Sequence, residues 1–408
     1  MIRYVSFRHL MWDIPSTTYA VFGLYRYPAK FIPQVIAYSL KAYGRRGWSV
    51  FDPFAGYGTA GLVARIYGCP YELWDLNPML VHIHEVATIN PNSLSLVEAY
   101  MIERLIMYAK DFKGEFVPDW KNLSYWFPQE VLPFLFRVWG FYHSLDEKPV
   151  RNLFLIPLLK ATRLLSYNDP QRQKLSRSPK SMGRVAALLA GDWQDIFWST
   201  VKTEVAQVLS RLIEYQYLCP PEVPEARVLG GVDTFMQSLD EEQDILITSP
   251  PYLQAQEYIR NSKMDLFWLG YSESRIRELS KLEIPYRRIP LCPIYSPTYE
   301  KWLTQLHEPH IREVFQRYFC GVLGALTCLQ EKVRHYLLLF VGPATIRSQP
   351  VPIDEIFKEH FTTLGWRCQE TLVDRIESRV LFSSPVNPAT GLPEQRIKTE
   401  RLLVMKRG

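Results

Sequence analysis

Long apolar runs are missing from this chain of 408 residues. None approaches the roughly 18 residues needed to cross a bilayer, and the first residues lack the apolar stretch of a secretory signal. The expected location is therefore cytoplasmic. Cysteine is scarce and unpatterned. The six cysteines, Cys69, Cys219, Cys292, Cys320, Cys328 and Cys368, contain no C-x-x-C pair. They are expected to be buried thiols in a reducing compartment, not metal ligands or a disulfide frame. Excess charge is also missing: 47 Lys and Arg face 42 Asp and Glu, a net of +5. That balance is compatible with nucleic acid without pointing to it, so any nucleic-acid surface has to be local. There is no internal repeat and no low-complexity linker. His9 with Trp12, and His307-Glu308-Pro309-His310, lie at no metal-ligand spacing, so no metal is expected.

What remains is a globular composition, 47% hydrophobic, 22% charged and 14% aromatic, long enough for one elaborated domain or two. The most informative stretch is Thr248-Ser249-Pro250-Pro251-Tyr252. It follows the apolar run Asp244–Ile247, which reads as a buried strand. Neither proline has an N–H, and each pushes the residue before it towards an extended conformation. The result is a stiff corner whose carbonyl oxygens are not used in a ladder or helix. A hydroxyl, Ser249, stands on one side and an aromatic ring, Tyr252, on the other. Such a corner accepts hydrogen bonds from an amino group while the ring stacks on a flat partner. Taken alone, it is equally a common Pro-Pro turn.

A second stretch lies far upstream. Trp48–Phe51 reads as a strand running into Asp52-Pro53-Phe54-Ala55-Gly56-Tyr57-Gly58-Thr59, with a helix from Ala60 to Tyr67. Strand, glycine turn and helix begin a dinucleotide-type α/β unit. Gly56 and Gly58 let the backbone turn tightly and approach a ligand that a Cβ would repel. The helix start supplies free N–H groups. Tyr71–Asp75 reads as the next strand, ending in an acid 17 residues after Gly58, a place where nucleoside-binding folds accept ribose hydroxyls. A G-x-G alone says little, but its flanks strengthen it. No Lys-Ser/Thr follows at phosphate-loop spacing, which disfavours nucleoside triphosphate hydrolysis.

Pro33 marks the start of a helix over Gln34–Tyr43. From about Asn90 to Cys219 the spacing predicts a mostly helical insertion, with apolar periodicity in Leu96–Tyr108, Leu132–His143, Leu153–Leu165 and Val201–Leu218. Within it, the segment from Gln171 to Arg184 carries five basic residues and no acid: Arg172, Lys174, Arg177, Lys180 and Arg184. That composition suits a free loop that meets phosphates, or simply a solvated basic loop. Strands are expected again at Arg227–Asp233, Asp244–Thr248 and Tyr336–Gly342. Helices are expected near Asn261–Leu269 and Ile311–Val333, and a closing strand pair at Trp366–Val373 and Arg401–Lys406.

Together these stretches resemble the S-adenosylmethionine-dependent DNA amino-methyltransferases, particularly the cytosine-N4 group. Phe51–Thr59 is similar to the family's D-P-F-x-G-x-G-T cofactor loop, and Thr248–Tyr252 to its catalytic T-S-P-P-Y. Tyr27–Pro33 is similar to the Tyr-Pro-Ala-Lys-Phe segment that precedes that loop, and Tyr258–Gly270 also looks like the family. The resemblance covers Tyr25–Asp75 and Arg227–Gly342, and the helical insert only loosely. It implies an α/β, Rossmann-like class I methyltransferase core with a large, mostly helical insertion. Residues 1–90 and 221–408 would form the core, 91–220 a target-recognition region, and 272–299 a second DNA-contacting segment.

The resemblance also implies roles. Lys30 and Phe31 would lie beside the methionine end of the cofactor. Phe51, Asp52, Pro53, Gly56, Gly58, Thr59 and Thr248 would enclose it, Asp75 would hold the ribose, and Asp233 would sit near the adenine amine. Ser249, Pro250, Pro251 and Tyr252 would be catalytic. Hydrogen bonds from the cytosine amine to the Ser249 hydroxyl and Pro250 carbonyl would aim the nitrogen lone pair at the methyl group. Tyr252 would stack on the extruded base. The implied partner is duplex DNA, with a cognate restriction endonuclease left open. Serine before Pro-Pro favours cytosine-N4 over adenine-N6. A cytosine-C5 route needs a Pro-Cys nucleophile, and no cysteine follows a proline. RNA or protein methylation, and a non-catalytic binding module on the same fold, are the alternatives.

Overall fold

Apolar residues that run unbroken in sequence are divided, residue by residue, between two cores. Val50, Leu73, Ile245, Ile247 and Leu338 face one cluster, while Phe51, Trp74, Leu246, Leu337 and Leu339 face the other. This is the period-2 signature of a sheet covered on both faces. The computed structural model describes residues 1–28, 30–93, 96–172, 174–253, 257–347, 349–375 and 399–408, apart from the side chains of 93–102.

The strands are β1 (Ile2–Val5), β2 (Val50–Asp52), β3 (Tyr71–Asp75), β4 (Ala226–Gly230), β5 (Gln243–Thr248), β6 (Val333–Val341), β7 (Ala344–Ile346), β8 (Gln349–Val351), β9 (Trp366–Arg375) and β10 (Thr399–Arg407). Eight form one sheet in the order β1-β9-β10-β6-β5-β2-β3-β4, and β7 with β8 makes a separate hairpin. Strands β4, β3, β2, β5 and β6 are mutually parallel, whereas β10 runs antiparallel to both β6 and β9. The closing strand pair is therefore where the sequence predicts it. The chain winds outward from β2 in two directions, giving a Rossmann-like α/β core. The sequence did not indicate β1, which adds to the edge beside β9.

The helices are α1 (Phe7–Leu10), α2 (Pro33–Tyr43), α3 (Thr59–Ile66), α4 (Met79–Ala87), α5 (Leu96–Asp111), α6 (Leu123–Trp126), α7 (Leu132–Ser144), α8 (Lys148–Leu164), α9 (Pro179–Leu189), α10 (Trp193–Leu218), α11 (Tyr258–Trp268), α12 (Glu273–Lys281), α13 (Pro297–Gln305), α14 (Pro309–Leu329) and α15 (Ile353–Thr363). Helices α5–α10 are the expected insertion. Their apolar residues, among them Trp139, Leu155 and Val201, join the same cluster as one sheet face. The insertion extends the core rather than forming a core of its own.

Two expectations need correction. The basic segment is not a free loop throughout. Ser178 accepts a hydrogen bond from the Ser181 N–H in a capping box, and Pro179 opens α9, the arrangement that serine and proline favour at a helix start. Of the six cysteines, only Cys69 and Cys320 are buried; Cys328 is exposed, and all six are free thiols. Among the described residues no helix is long and apolar enough to cross a membrane, and no cluster of His, Cys, Asp and Glu is arranged to hold a metal.

Candidate active site

Strand β2 is the point at which the strand order reverses. Val50 pairs with Tyr71 on one side and Ile245 on the other. Because all three strands run the same way, the loops after β2, β3 and β5 emerge at one edge of the sheet. A crevice outside the carboxyl ends at such a reversal is the general ligand site of open α/β sheets. Residues that lie nearly two hundred positions apart in sequence are thus brought together.

The glycine loop turns through left-handed conformations at Gly56 (φ +54°) and Gly58 (φ +87°). A Cβ on Gly56 would sit 3.1 Å from Tyr27 Cε1, so the loop approaches this ring only as glycine. Asp75, at the end of β3, accepts the Gly56 N–H at 2.8 Å through one oxygen and the Asn77 N–H at 2.7 Å through the other. Beneath the loop, Asp52 Oδ1 accepts the Thr248 hydroxyl at 2.6 Å and the Phe54 N–H at 3.1 Å. The ends of β2 and β5 are tied by that contact. Burial raises Asp52 to about 7 and Asp75 to about 6, against the pull of these hydrogen bonds.

A cavity of about 880 Å³, part of it open to solvent, lies above the strand ends. Ser249 and Pro251 enter it from β5, Gly56 and Asp75 from the glycine side, and Lys30 and Phe31 from the segment before α2. Lys30 donates to the carbonyls of Thr17 (2.7 Å) and Phe22 and lies 4.9 Å over the Tyr57 ring. Burial lowers its amine to about 8. Asp233 reaches the far wall, where Arg287 Nη1 meets it at 2.5 Å and the guanidinium lies 5.2 Å over Phe235. Glu283, pushed by burial to about 7, accepts the Ile259 N–H at 2.9 Å in the first turn of α11. The Ser249 hydroxyl forms no hydrogen bond within the described residues and borders the cavity.

The structure thus gathers Lys30, Phe31, Gly56, Asp75, Asp233, Ser249 and Pro251 around one space. It does not place the remaining expected residues there. Phe51 turns into the opposite core, edge-on to Trp74 at 4.7 Å. Asp52, Thr59 and Thr248 are buried behind the wall, as are Pro53 and Gly58; the Pro53 carbonyl accepts the Thr234 hydroxyl at 2.6 Å. Pro250 is buried, and Tyr252 donates to Glu400 at 2.9 Å with its ring packed against Gly342. These residues hold the shape of the cavity from outside. Residues missed in the sequence are Tyr27, which stacks on Tyr258 at 6.4 Å, and Asn77, Phe235, Glu283 and Arg287. Tyr27 lay within a quoted motif; Arg287 had no motif to mark it.

The five basic residues separate into two groups. Arg177 lies 4.8 and 4.5 Å over the rings of Tyr125 and Tyr167, and Arg184 donates to the carbonyls of Leu164 and Ser166. Both side chains are engaged within the protein. Arg172, Lys174 and Lys180 are exposed, with Lys174 paired to Glu257 at 2.8 Å.

No protein-family model matches the chain. It is 26% identical over 287 residues to the Type II methyltransferase M.BsoBI of Geobacillus stearothermophilus, covering 64% of this chain and 54% of that protein. It is 22% identical over 282 residues to the Type II methyltransferase M.MvaI of Kocuria varians, covering 63% of this chain and 60% of that protein. The chain therefore spans between half and two thirds of the length of these curated relatives. The rRNA methyltransferase aviRa from Streptomyces viridochromogenes aligns over 98% of this chain and 96% of its own at 10% identity, with a TM-score of 0.35. So slight a likeness carries no weight, and the fold rests on the strand order. In sequence the chain is similar to Type II methyltransferases.

Proposed function

We propose that this protein is an S-adenosylmethionine-dependent DNA methyltransferase acting on an exocyclic base amine, with cytosine N4 as the acceptor. The observation that supports it most is the meeting of two distant motifs. The Ser249 hydroxyl, at the end of β5, borders the same cavity as Gly56 and Asp75, at the ends of β2 and β3. The named relatives, as Type II methyltransferases, agree with that reading.

The cavity fits the cofactor on its own chemistry. Gly56 keeps the loop close against the Tyr27 ring at the cavity's edge, where a Cβ would come within 3.1 Å. Each Asp75 oxygen accepts one backbone N–H and keeps lone-pair capacity for ribose hydroxyls. Asp233, with Phe235 and Arg287 beside it, would take the adenine end, while Lys30 and Phe31 would border the amino-acid end. When bound, S-adenosylmethionine supplies an electrophilic methyl group on a sulfonium. The chain's part is positioning. Ser249 Oγ accepts one amine N–H, which favours a pyramidal nitrogen and aims its lone pair into the cavity. An acceptor fixed in place needs no reorganisation as charge develops, unlike water. Because the amine of a paired base is inaccessible, the base leaves the duplex first. Arg172, Lys174 and Lys180, on the exposed face, meet phosphates. Tyr252 acts by bracing the corner through Glu400, with its exposed part the surface available to the base. Residues 91–220 and 272–299 carry target recognition, and the enzyme serves as the modification part of a defence system.

The test is mass spectrometry of nucleosides from DNA incubated with the protein and methyl-labelled S-adenosylmethionine. Label in N4-methylcytosine is the expected result. Label in N6-methyladenine would retain the chemistry and overturn the choice of base, and label only in RNA would overturn the substrate.

A further inference from the structure

A second cavity, of about 970 Å³ including open solvent, lies on the other side of Tyr27. Tyr27 borders both spaces, so whatever enters the second lies next to whatever occupies the first. Four cationic side chains line it, Arg26, Lys160, Arg163 and Arg172, and among the described residues no carboxylate does. Two of them are committed: Lys160 to Glu204 at 2.6 Å and Arg163 to Asp265 at 2.7 Å. Arg26 is exposed and, among the described residues, its head group donates only to the Pro170 carbonyl, at 2.5 Å. Arg172 is exposed, with only a loose 3.8 Å approach to Asp169. The free positive charge of this cavity is therefore at its rim.

Asn261, in α11, forms part of the wall. It is 8% exposed, yet neither the oxygen nor the nitrogen of its side-chain amide has a hydrogen-bond partner. Its backbone is engaged, the N–H donating to the Glu257 carbonyl at 3.2 Å and the carbonyl accepting from Arg163 at 3.1 Å. A buried amide with both ends unmet is a costly feature that natural chains rarely keep without use. An apolar side chain of similar size would serve packing better. A primary amide offers one donor and one acceptor side by side, which matches the edge of a nucleobase, adenine N6 and N7 in particular.

We propose that this cavity is a second nucleotide site, in which Asn261 reads the edge of a base neighbouring the methyl acceptor while Arg26 and Arg172 hold its phosphates. The proposal rests on the methyltransferase reading for the identity of its neighbour, but not for its own chemistry. Ser249 borders the first cavity and not the second, so the reading base and the acceptor base are different bases. Asn261 is thus a specificity-determining residue rather than a catalytic one.

The experiment uses the full chain, its Asn261→Leu variant and a double variant with Arg26→Glu and Arg172→Glu. Each is given a pool of random-sequence duplex oligonucleotides, followed both by fluorescence anisotropy at low salt and by transfer of labelled methyl. In Asn261→Leu the thermal midpoint stays equal or rises, because an unmet amide is removed, and labelled S-adenosylmethionine binds as before. Sequencing of the methylated fraction loses its base preference at one position next to the acceptor, with transfer to the preferred sequence falling about tenfold or more. In the charge-reversed variant, oligonucleotide affinity falls about tenfold or more across all sequences, and its salt dependence weakens. Unchanged oligonucleotide affinity in both variants overturns the second site, whether or not any methyl is transferred. Unchanged base preference in Asn261→Leu overturns the reading role. Absence of transfer by the unmodified protein, with binding still lost in the variants, overturns the methyltransferase reading alone and leaves the nucleotide site standing.

Discussion

The two walls of the active-site crevice are built on opposite plans. On the glycine-loop side, each buried carboxylate is met by the chain itself. Asp52 receives Thr248 and Phe54, and Asp75 receives Gly56 and Asn77. On the far side, Nε of Arg287 is buried without a partner, and behind Tyr27, on the second cavity, so are both ends of the Asn261 amide. The carboxylates of the first wall are held before any ligand arrives, so their geometry is fixed in advance, although Thr59 Oγ1 at the start of α3 is also buried without a partner. The other carries unmet hydrogen-bonding capacity, which is tolerable in a fold only where something else supplies the match. Under the proposed function, this divides a preformed cofactor side from a readout side.

Ser249 stands where the two walls meet, and its removal is expected to have the largest effect. Ser249→Ala removes the acceptor for the amine and touches neither wall. Methyl transfer in single turnover is expected to fall about a hundredfold or more, as for loss of a placed transition-state partner, while equilibrium dialysis with labelled S-adenosylmethionine shows affinity within about threefold. Transfer at the original rate would mean that the hydroxyl does not hold the amine.

Asp75 tests whether the first wall is as self-contained as it looks. In Asp75→Ala the Gly56 and Asn77 N–H groups both lose a charged acceptor, at about 1.5–3 kcal/mol each, and ribose hydroxyls lose theirs. Cofactor affinity is expected to fall about a hundredfold. In Asp75→Asn the side-chain oxygen keeps one of the two backbone bonds, and the loss should be nearer tenfold. Equal losses in the two variants would show that the charge, and not the loop's hydrogen bonds, is what matters.

The same contrast explains how much was legible in the sequence. The first wall is made by short-range rules: a strand, two glycines that must turn, a helix start, and an acid at the end of the next strand. Those features lie within Val50–Asp75 and were read correctly to within a residue or two. The Ser-Pro-Pro corner was equally visible, because proline fixes backbone shape locally. The second wall is made by contacts over long separations. Arg287 finds Asp233 across 54 positions, and Glu283 caps α11 across 24, with no periodicity to announce either. Phe51 was misplaced for a related reason. Alternation in β2 puts it on the face opposite Val50, but a three-residue strand gives too short a pattern to say which face is the site. The helix α9 was missed although Ser178-Pro179 signalled its start, because basic composition outweighed the capping pattern.

The last effect, one of stability rather than binding, is pH dependence. Burial raises the Asp52 carboxyl to about 7 from an ordinary value of 3.8. A carboxyl raised on folding contributes stability that is fully present below its unfolded value and is lost as pH rises towards the folded one. The window is therefore about pH 4 to 7, with the protein losing stability upward through it. Asp52→Asn removes the titration while sparing the structure, since both the Thr248 and Phe54 bonds go to Oδ1, which asparagine keeps. The variant should match the unmodified protein near pH 4 and exceed it at pH 8, by at most about 4 kcal/mol and by a few °C in thermal midpoint. A difference that stays constant across that range would mean that Asp52 keeps its charge down to pH 4. Its burial would then be offset by more than the two hydrogen bonds at Oδ1. The first wall would in that case be tighter electrostatically than its contacts account for, and the contrast with the far side correspondingly sharper.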